Sequence, residues 1–257
     1  FEYQKLMRAI FPSYAQISKL HQWGVFVVGV LMMLSLAPSD ITLPTALLQK
    51  LPLAYQGIGL RWIGLKLMPV ALVLMMIADV FARKADIKNL AISFFGFIYI
   101  TISLSLFYAM RGMFLNAGMA MFFPNIELMV PILVIATVWV NDTMAYIVGS
   151  LIGKTPFSPI SPKKTWEGTV GGAILAVLVV TAICVYWLEL NLTQTLLITI
   201  TASIMGTVGD LLESKLKRMA GVKDSGSFMP GHGGFLDRFD SLLLATPYVW
   251  LILFLFS

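Results

Sequence analysis

Between Asp210 and Asp240 the chain reads DLLESKLKRMAGVKDSGSFMPGHGGFLDRFD, and most of its chemistry is gathered there. Five acids (Asp210, Glu213, Asp224, Asp237, Asp240) stand among five bases (Lys215, Lys217, Arg218, Lys223, Arg238), in a chain with only 13 acids and 18 bases. Read as a helix end, Asp210, either Glu213 or Ser214, and Lys217 share one face, while Leu211, Leu212 and Leu216 point elsewhere. Asp237 and Asp240, three apart, form a second acidic face where the last apolar segment begins. Carboxylates in such pairs suit a hard cation, and Mg²⁺ is the candidate for Asp210, Asp237 and Asp240. Between the two faces, glycines at 221, 226, 231, 233 and 234 let backbone amides approach phosphate closely. Lys217, Arg218, Lys223 and Arg238 supply cations for phosphate oxygens. Metal-holding acids beside phosphate-holding bases and amides describe phosphoryl or nucleotidyl transfer, in which the protein positions groups and neutralises charge. The plainer reading is a basic loop lying on anionic lipid. It leaves acids within apolar segments, Asp142 and Asp210, without a purpose. Asp240 also has a plain reading, as the cap of the last helix.

The segments that position these residues are apolar. The chain is 58% hydrophobic and 12% charged, with mean hydropathy +0.86; a soluble domain carries about 25% charged residues. This composition predicts an integral membrane protein. Its long runs are continuously apolar, which selects helices over β-barrel strands, so the expected fold is an all-α polytopic bundle of about seven transmembrane helices. Cys184 is the single cysteine, which excludes a disulfide framework and a CxxC metal site. The net charge of +5 is read as basic loops beside anionic headgroups, not as a nucleic-acid surface.

In chain order, residues 1–22 mix aromatics with Lys5, Arg8 and Lys19 and suit an interfacial segment, with His21 at headgroup level. Spans are expected at Trp23–Pro38, Ile63–Ala82 (with a kink at Pro69 and Asp79 near its end), Asn89–Met110, Glu127–Ser150, Thr169–Leu188, Thr195–Leu212 and Ser241–Phe256. Residues 111–126 read as an interfacial or re-entrant loop. Two domains follow, 1–125 with N-terminal helices and 126–257 with the catalytic machinery. Within the fourth span Asp142, Tyr146, Gly149 and Gly153 lie 4, 3 and 4 apart and share a helical face. Gly171 and Gly172 permit close helix approach in the fifth.

A third polar segment, Ser161-Pro-Lys163-Lys164-Thr165-Trp-Glu167-Gly168, joins the fourth and fifth spans. Alone it reads as a basic loop on the membrane surface; on the same side as residues 210–240 it becomes a second phosphate-binding wall. The positive-inside rule puts both there. With residues 1–22 cytoplasmic, 14 of the 18 bases fall on the cytoplasmic side and only Lys50, Arg61, Lys66 and Arg111 fall outside it. The expected active site therefore faces the cytoplasm.

Taken together, Ser214-Lys-Leu-Lys-Arg218, Lys223-Asp224-Ser225-Gly226, Pro230-Gly-His232-Gly233-Gly234 and Asp237-Arg238-Phe-Asp240 resemble the signature of the phosphatidate cytidylyltransferases, the CDP-diacylglycerol synthases. Asp142-Thr-Met-Ala-Tyr146 and Ser161–Gly168 resemble other stretches of that family, in the same order. The resemblance covers roughly residues 130–257; the first half is similar mainly in hydrophobic pattern. Phe1-Glu2-Tyr3 resembles a stretch that follows earlier membrane helices in the family, so an N-terminal portion is expected to precede it.

The resemblance implies a reaction, CTP plus phosphatidic acid giving CDP-diacylglycerol and pyrophosphate, with Mg²⁺ required and a second metal ion left open. Asp210, Asp237 and Asp240 would hold metal, and Lys217, Arg218, Lys223 and Arg238 would neutralise the triphosphate. Asp224 and His232 complete the catalytic set, with His232 a phosphate contact or proton acceptor. Asp142, Tyr146, Ser161, Lys163, Lys164, Thr165, Glu167, Ser214, Gly233 and Gly234 form the expected substrate-binding set. The implied partners are CTP, phosphatidic acid and the bilayer, with a homodimer compatible; the implied location is a bacterial inner membrane. Two other classes share some of these features. A CTP-dependent lipid kinase would use the same nucleotide and metal but transfer phosphate. An ion-coupled transporter would place its acids near the midplane on broken helices, whereas most acids here sit at cytoplasmic helix ends.

Overall fold

A computed structural model describes residues 1–37, 59–81, 86–113, 128–228 and 233–256. The described chain is almost entirely helical, and six of its helices are long and apolar enough to cross a membrane. The chain is an all-α polytopic bundle. Contacts group it into two compact units, Phe11–Ala109 and Phe1–Ile10 with Met110–Ser257.

The Phe11–Ala109 unit contains α2 (Lys19–Ser35), α3 (Leu60–Phe81) and α4 (Ile87–Ala109). Helix α2 begins four residues before the expected Trp23, because the Ser18 side chain accepts the His21 amide at 3.1 Å and caps it. At 17 residues it falls short of the roughly 20 that a straight crossing needs. Pro69 lies inside α3 without ending it, and α4 carries a π turn over Phe97–Ile102. α2 and α3 pack antiparallel, Gly24 against Met75 and Gly64 against Leu34 and Ser35. At Gly64 a side chain is excluded: a Cβ would stand 2.6 Å from the Leu34 carbonyl carbon.

That register places His21 within the packing of α2, α3 and α4, where its imidazole is buried. Its Nδ1 lies 2.8 Å from Asp79 Oδ2 and its Nε2 2.8 Å from Ser93 Oγ. An acid inside an apolar helix needs a partner, and the antiparallel pairing of α2 with α3 brings His21 opposite Asp79.

The other unit contains α1 (Glu2–Ile10), α5 (Met129–Ile152), a β-hairpin of β1 (Pro156–Ser158) and β2 (Ser161–Thr165), α6 (Trp166–Trp187), α7 (Leu192–Met219) and α8 (Leu236–Phe256). α5 packs on α6 and α7 on α8. The α5–α6 crossing is close because small residues face it: a Cβ on Gly168 would lie 2.8 Å from Gly149 Cα, and one on Gly172 would lie 2.5 Å from Ala145 Cα. Deeper, Thr181 and Thr199 hydroxyls meet at 3.1 Å between α6 and α7.

The segment after α5, expected as a loop, folds as a short antiparallel hairpin. Glu167 holds its base by accepting the amides of Lys154 and Thr155, each at 3.1 Å, and the Thr155 hydroxyl at 2.8 Å. Thr165 Oγ1 accepts the Gly168 amide at 3.1 Å and caps α6. α7 runs to Met219, two turns past the expected Leu212, and ends in a Schellman turn. There Val222 N donates to Lys217 O and Gly221, at φ 69°, takes the left-handed position. A four-residue connection, 188–191, joins α6 to α7, so the hairpin, the C-terminal end of α7 and the N-terminal end of α8 all meet at the opposite end of this unit. The expected re-entrant segment lies, from residue 114 to 126, outside the described residues, as do Arg83 and Lys84.

Candidate active site

At that end the three polar segments of the sequence meet. Lys164, on β2, forms an ion pair with Asp210 on α7. Asp210 Oδ1 also accepts the Ser214 hydroxyl at 3.3 Å, one turn on. Asp142, on α5, lies within electrostatic range of Lys164 and Asp210. Asp240, on α8, lies within range of Asp210 and Asp142, and its Oδ1 accepts the Ser241 amide at 2.6 Å. Four elements thus bring three carboxylates together, with Lys164 paired to Asp210.

Asp142 itself is exposed on the surface of α5. Tyr146, one turn further along, is 78% exposed and makes no described contact with the acids. Its face is shared with Asp142 only in spacing.

A second cluster lies beside the first, and in it the buried Glu213 Oε1 has no hydrogen-bond partner among the described residues. Lys217 bridges Glu213, which is completely buried, and Asp237. Asp237 Oδ1 accepts Lys217 Nζ at 2.7 Å, and Oδ2 accepts Gly234 N at 2.7 Å and both the amide and the hydroxyl of Ser225 at 2.8 Å. This carboxylate therefore ties the glycine-rich loop to the end of α7. Gly233, at φ 82°, turns the backbone so that the Gly234 amide points back at Asp237. Lys217, expected among the phosphate-neutralising bases, is largely covered and lies between two carboxylates. Lys163, Arg218, Lys223, Asp224 and Arg238 are also exposed at this end.

Two residues absent from the expected set are central to the geometry. Glu213 lies on α7 one turn before Lys217, and its burial could not be read from a pattern that left either Glu213 or Ser214 on the active face. Glu2, on α1, accepts Phe235 N at 2.9 Å and Leu236 N at 2.7 Å, with Ser225 Oγ 3.1 Å from its Oε2. It caps α8, whose first four amides have no partner within the helix. Asp240 does not cap it, because α8 starts at Leu236, five residues before the expected Ser241. More than 220 residues separate Glu2 from α8, so local spacing could not reveal the contact; its sequence trace was an acid between two aromatics, Phe1 and Tyr3.

Thr165 and Glu167, expected to bind substrate, cap and brace the hairpin as described above. Ser161 begins β2, beside the lysines. His232 lies outside the described residues.

The donor chemistry bears on a metal. Among the described residues, no three acidic or imidazole side chains form a ready-made metal cage. Mg²⁺ commonly binds through one or two carboxylates and keeps its remaining positions for water and substrate phosphates. Asp210 and Asp240, with Asp142 nearby, fit that requirement. Asp237 accepts four hydrogen bonds on its two oxygens, a denser set than the Ser214 hydroxyl and Lys164 ammonium that meet Asp210.

The model of a protein family described as the cytidylyltransferase family matches residues 6–256. A Staphylococcus haemolyticus protein named phosphatidate cytidylyltransferase is 50% identical over 119 residues, which is 45% of this chain and 45% of the relative. A Bacillus subtilis protein of the same name is 48% identical over 122 residues, 47% of this chain and 45% of the relative. A Staphylococcus aureus protein, also so named, is 44% identical over 119 residues, 45% of each chain. The chain thus spans about half the length of the curated relatives it matches.

Proposed function

The chain belongs to the cytidylyltransferase family, and on that premise we propose that it transfers CMP from CTP to phosphatidic acid, yielding CDP-diacylglycerol and pyrophosphate. The observation that carries this reading is the meeting of Lys164 with Asp210 beside Asp240. It joins the hairpin, α7 and α8 into one charged surface at the end of a membrane bundle, where a water-soluble nucleotide can meet a lipid headgroup.

In this reading an oxygen of the lipid phosphate attacks the α-phosphorus of CTP in line. The new P–O bond forms as the bond to the β-phosphate oxygen breaks, and that oxygen leaves with pyrophosphate. The phosphate nucleophile is largely deprotonated near neutral pH, its second pKa being about 6, so no side chain has to act as base. Asp210 and Asp240 would hold Mg²⁺, which when bound supplies charge neutralisation to the triphosphate. Asp237, expected in that set, joins a metal shell only by releasing some of its four donors; its contacts as they stand make it the organiser of the glycine loop. Lys163, Lys164, Arg218, Lys223 and Arg238 would face the phosphates, while Lys217 holds α7 to the loop through Asp237. The apolar helices would let the lipid's acyl tails remain in the bilayer. Eight bases cluster at this end of the unit, Lys154, Lys163, Lys164, Lys215, Lys217, Arg218, Lys223 and Arg238, and none lies in the opposite connection 188–191. That imbalance supports a cytoplasmic active site in a bacterial plasma membrane.

The experiment is pyrophosphate release from CTP with phosphatidic acid and Mg²⁺. Lipid-dependent release should fall by about 10²-fold or more in Asp240→Asn, the scale of losing a group that stabilises transferring charge. Release of CDP and a phosphorylated lipid in place of pyrophosphate would identify a kinase. No CTP turnover by folded protein would overturn the proposal.

A further inference from the structure

The Phe11–Ala109 unit holds a polar array that the proposed chemistry does not use. Asp79, His21 and Ser93 form a continuous chain of hydrogen bonds at 2.8–2.9 Å, and Tyr14 extends it, its hydroxyl 3.0 Å from Ser93 Oγ. All four residues are buried. Asn89, one turn before Ser93, is tied to Ser13 by two further bonds, 3.1 and 3.2 Å, so the array has a fixed frame.

His21, Asp79 and Ser93 line a cavity of about 550 Å³ between α2, α3 and α4, within the range of sites that hold small organic ligands, about 300–1,000 Å³. Its remaining walls are apolar, among them Val28, Met68, Leu72, Met75 and Phe97. Along α2 it runs from His21 to Met32 and along α3 from Met68 to Val80. At 1.5 Å per residue that is roughly 17 Å, about half the roughly 30 Å hydrocarbon thickness. The polar array sits at one end of both runs, since His21 is first on α2 and Asp79 nearly last on antiparallel α3. Met76, Val80 and Phe94 along its edge are 58%, 81% and 63% exposed, so the slot opens sideways from the bundle.

Length, volume and lateral opening match one acyl chain of a lipid. The polar end specifies the head. Among the described residues, both oxygens of Asp79 contact only His21 Nδ1, which leaves lone pairs on the carboxylate, and a carboxylate accepts but does not donate. A hydroxyl meets that requirement, while a phosphate or carboxylate head would bring like charge against Asp79. We propose that this slot binds a neutral, hydroxyl-headed glycerolipid, with one acyl chain between α2 and α3 and the free hydroxyl donating to Asp79. The site is independent of the nucleotide chemistry proposed for the other unit.

The test uses the full chain in lipid nanodiscs and diacylglycerol carrying a photoreactive diazirine in one acyl chain, with identically labelled phosphatidic acid as comparison. Cross-linked peptides are mapped by mass spectrometry. Diacylglycerol should label residues 68–76 saturably, and Leu72→Trp and Met76→Trp, which fill the slot from its edge, should each remove that labelling. Asp79→Asn keeps the shape and should erode the preference for diacylglycerol over phosphatidic acid by about tenfold, the scale of one hydrogen bond to a charged group. Labelling spread over all exposed apolar helices and indifferent to both tryptophans would overturn the slot. Equal labelling by the two lipids would overturn the head assignment. Circular dichroism and retained CTP turnover check that each variant is folded.

Discussion

At the scale of single residues, the two lysines of the hairpin are not equivalent. Lys163 is exposed, while Lys164 is half-buried against Asp210. An acid at a membrane helix end with its cation removed keeps its charge without compensation, and so does any phosphate the pair would bind. Lys164→Met is therefore expected to lower lipid-dependent CTP turnover by about 10²-fold, whereas Lys163→Met, which empties a solvated position, should cost less than about tenfold. Initial-rate measurements on both variants check this, and equal losses would remove the special role of Lys164. The tandem lysines were legible as phosphate binders. Which of them meets an acid was not, because strand alternation sends neighbours to opposite faces and nothing local marks the segment as a strand.

At the scale of elements, α1 acts as a strap on the N-terminal end of α8. Glu2 satisfies two of its orphan amides and reaches Ser225, which also touches Asp237. Gly226 and Gly234 pack so closely on Glu2 that a side chain on either would collide with its carboxylate. Glu2→Ala should destabilise the folded protein by about 1–2 kcal/mol, the worth of a lost helix cap. Thermal unfolding in detergent, compared with the exposed control Gln16→Ala, measures it; identical midpoints would show that α1 is dispensable for α8. The span pattern of α3 to α8 was legible to within a few residues, because apolar run length sets it. The ends moved where caps decided them: Ser18 started α2 early, and Glu2 moved the start of α8 from Ser241 to Leu236.

At the scale of the whole molecule, the charge imbalance between the two ends of the α5–α8 unit predicts its orientation. With the buried Cys184 changed to serine, Ser227→Cys is expected to react with a membrane-impermeant maleimide only from the cytoplasmic side, and Asn191→Cys only from the other. Labelling of Ser227→Cys in intact cells would reverse the topology and move the proposed site away from cytoplasmic CTP. The membrane class, the helical architecture and the family were all carried by the sequence alone, because hydropathy and motif spacing are properties of the chain in one dimension. So was the position of the candidate site, since its motifs lie at ends of apolar runs. Tertiary structure decided the partners. It set Lys217 between Glu213 and Asp237, turned Asp237 onto the loop amides and brought His21 across to Asp79. Each of these outcomes depends on which helix faces which and at what depth, and a carboxylate finds its cation through that packing, not through its neighbours in the chain.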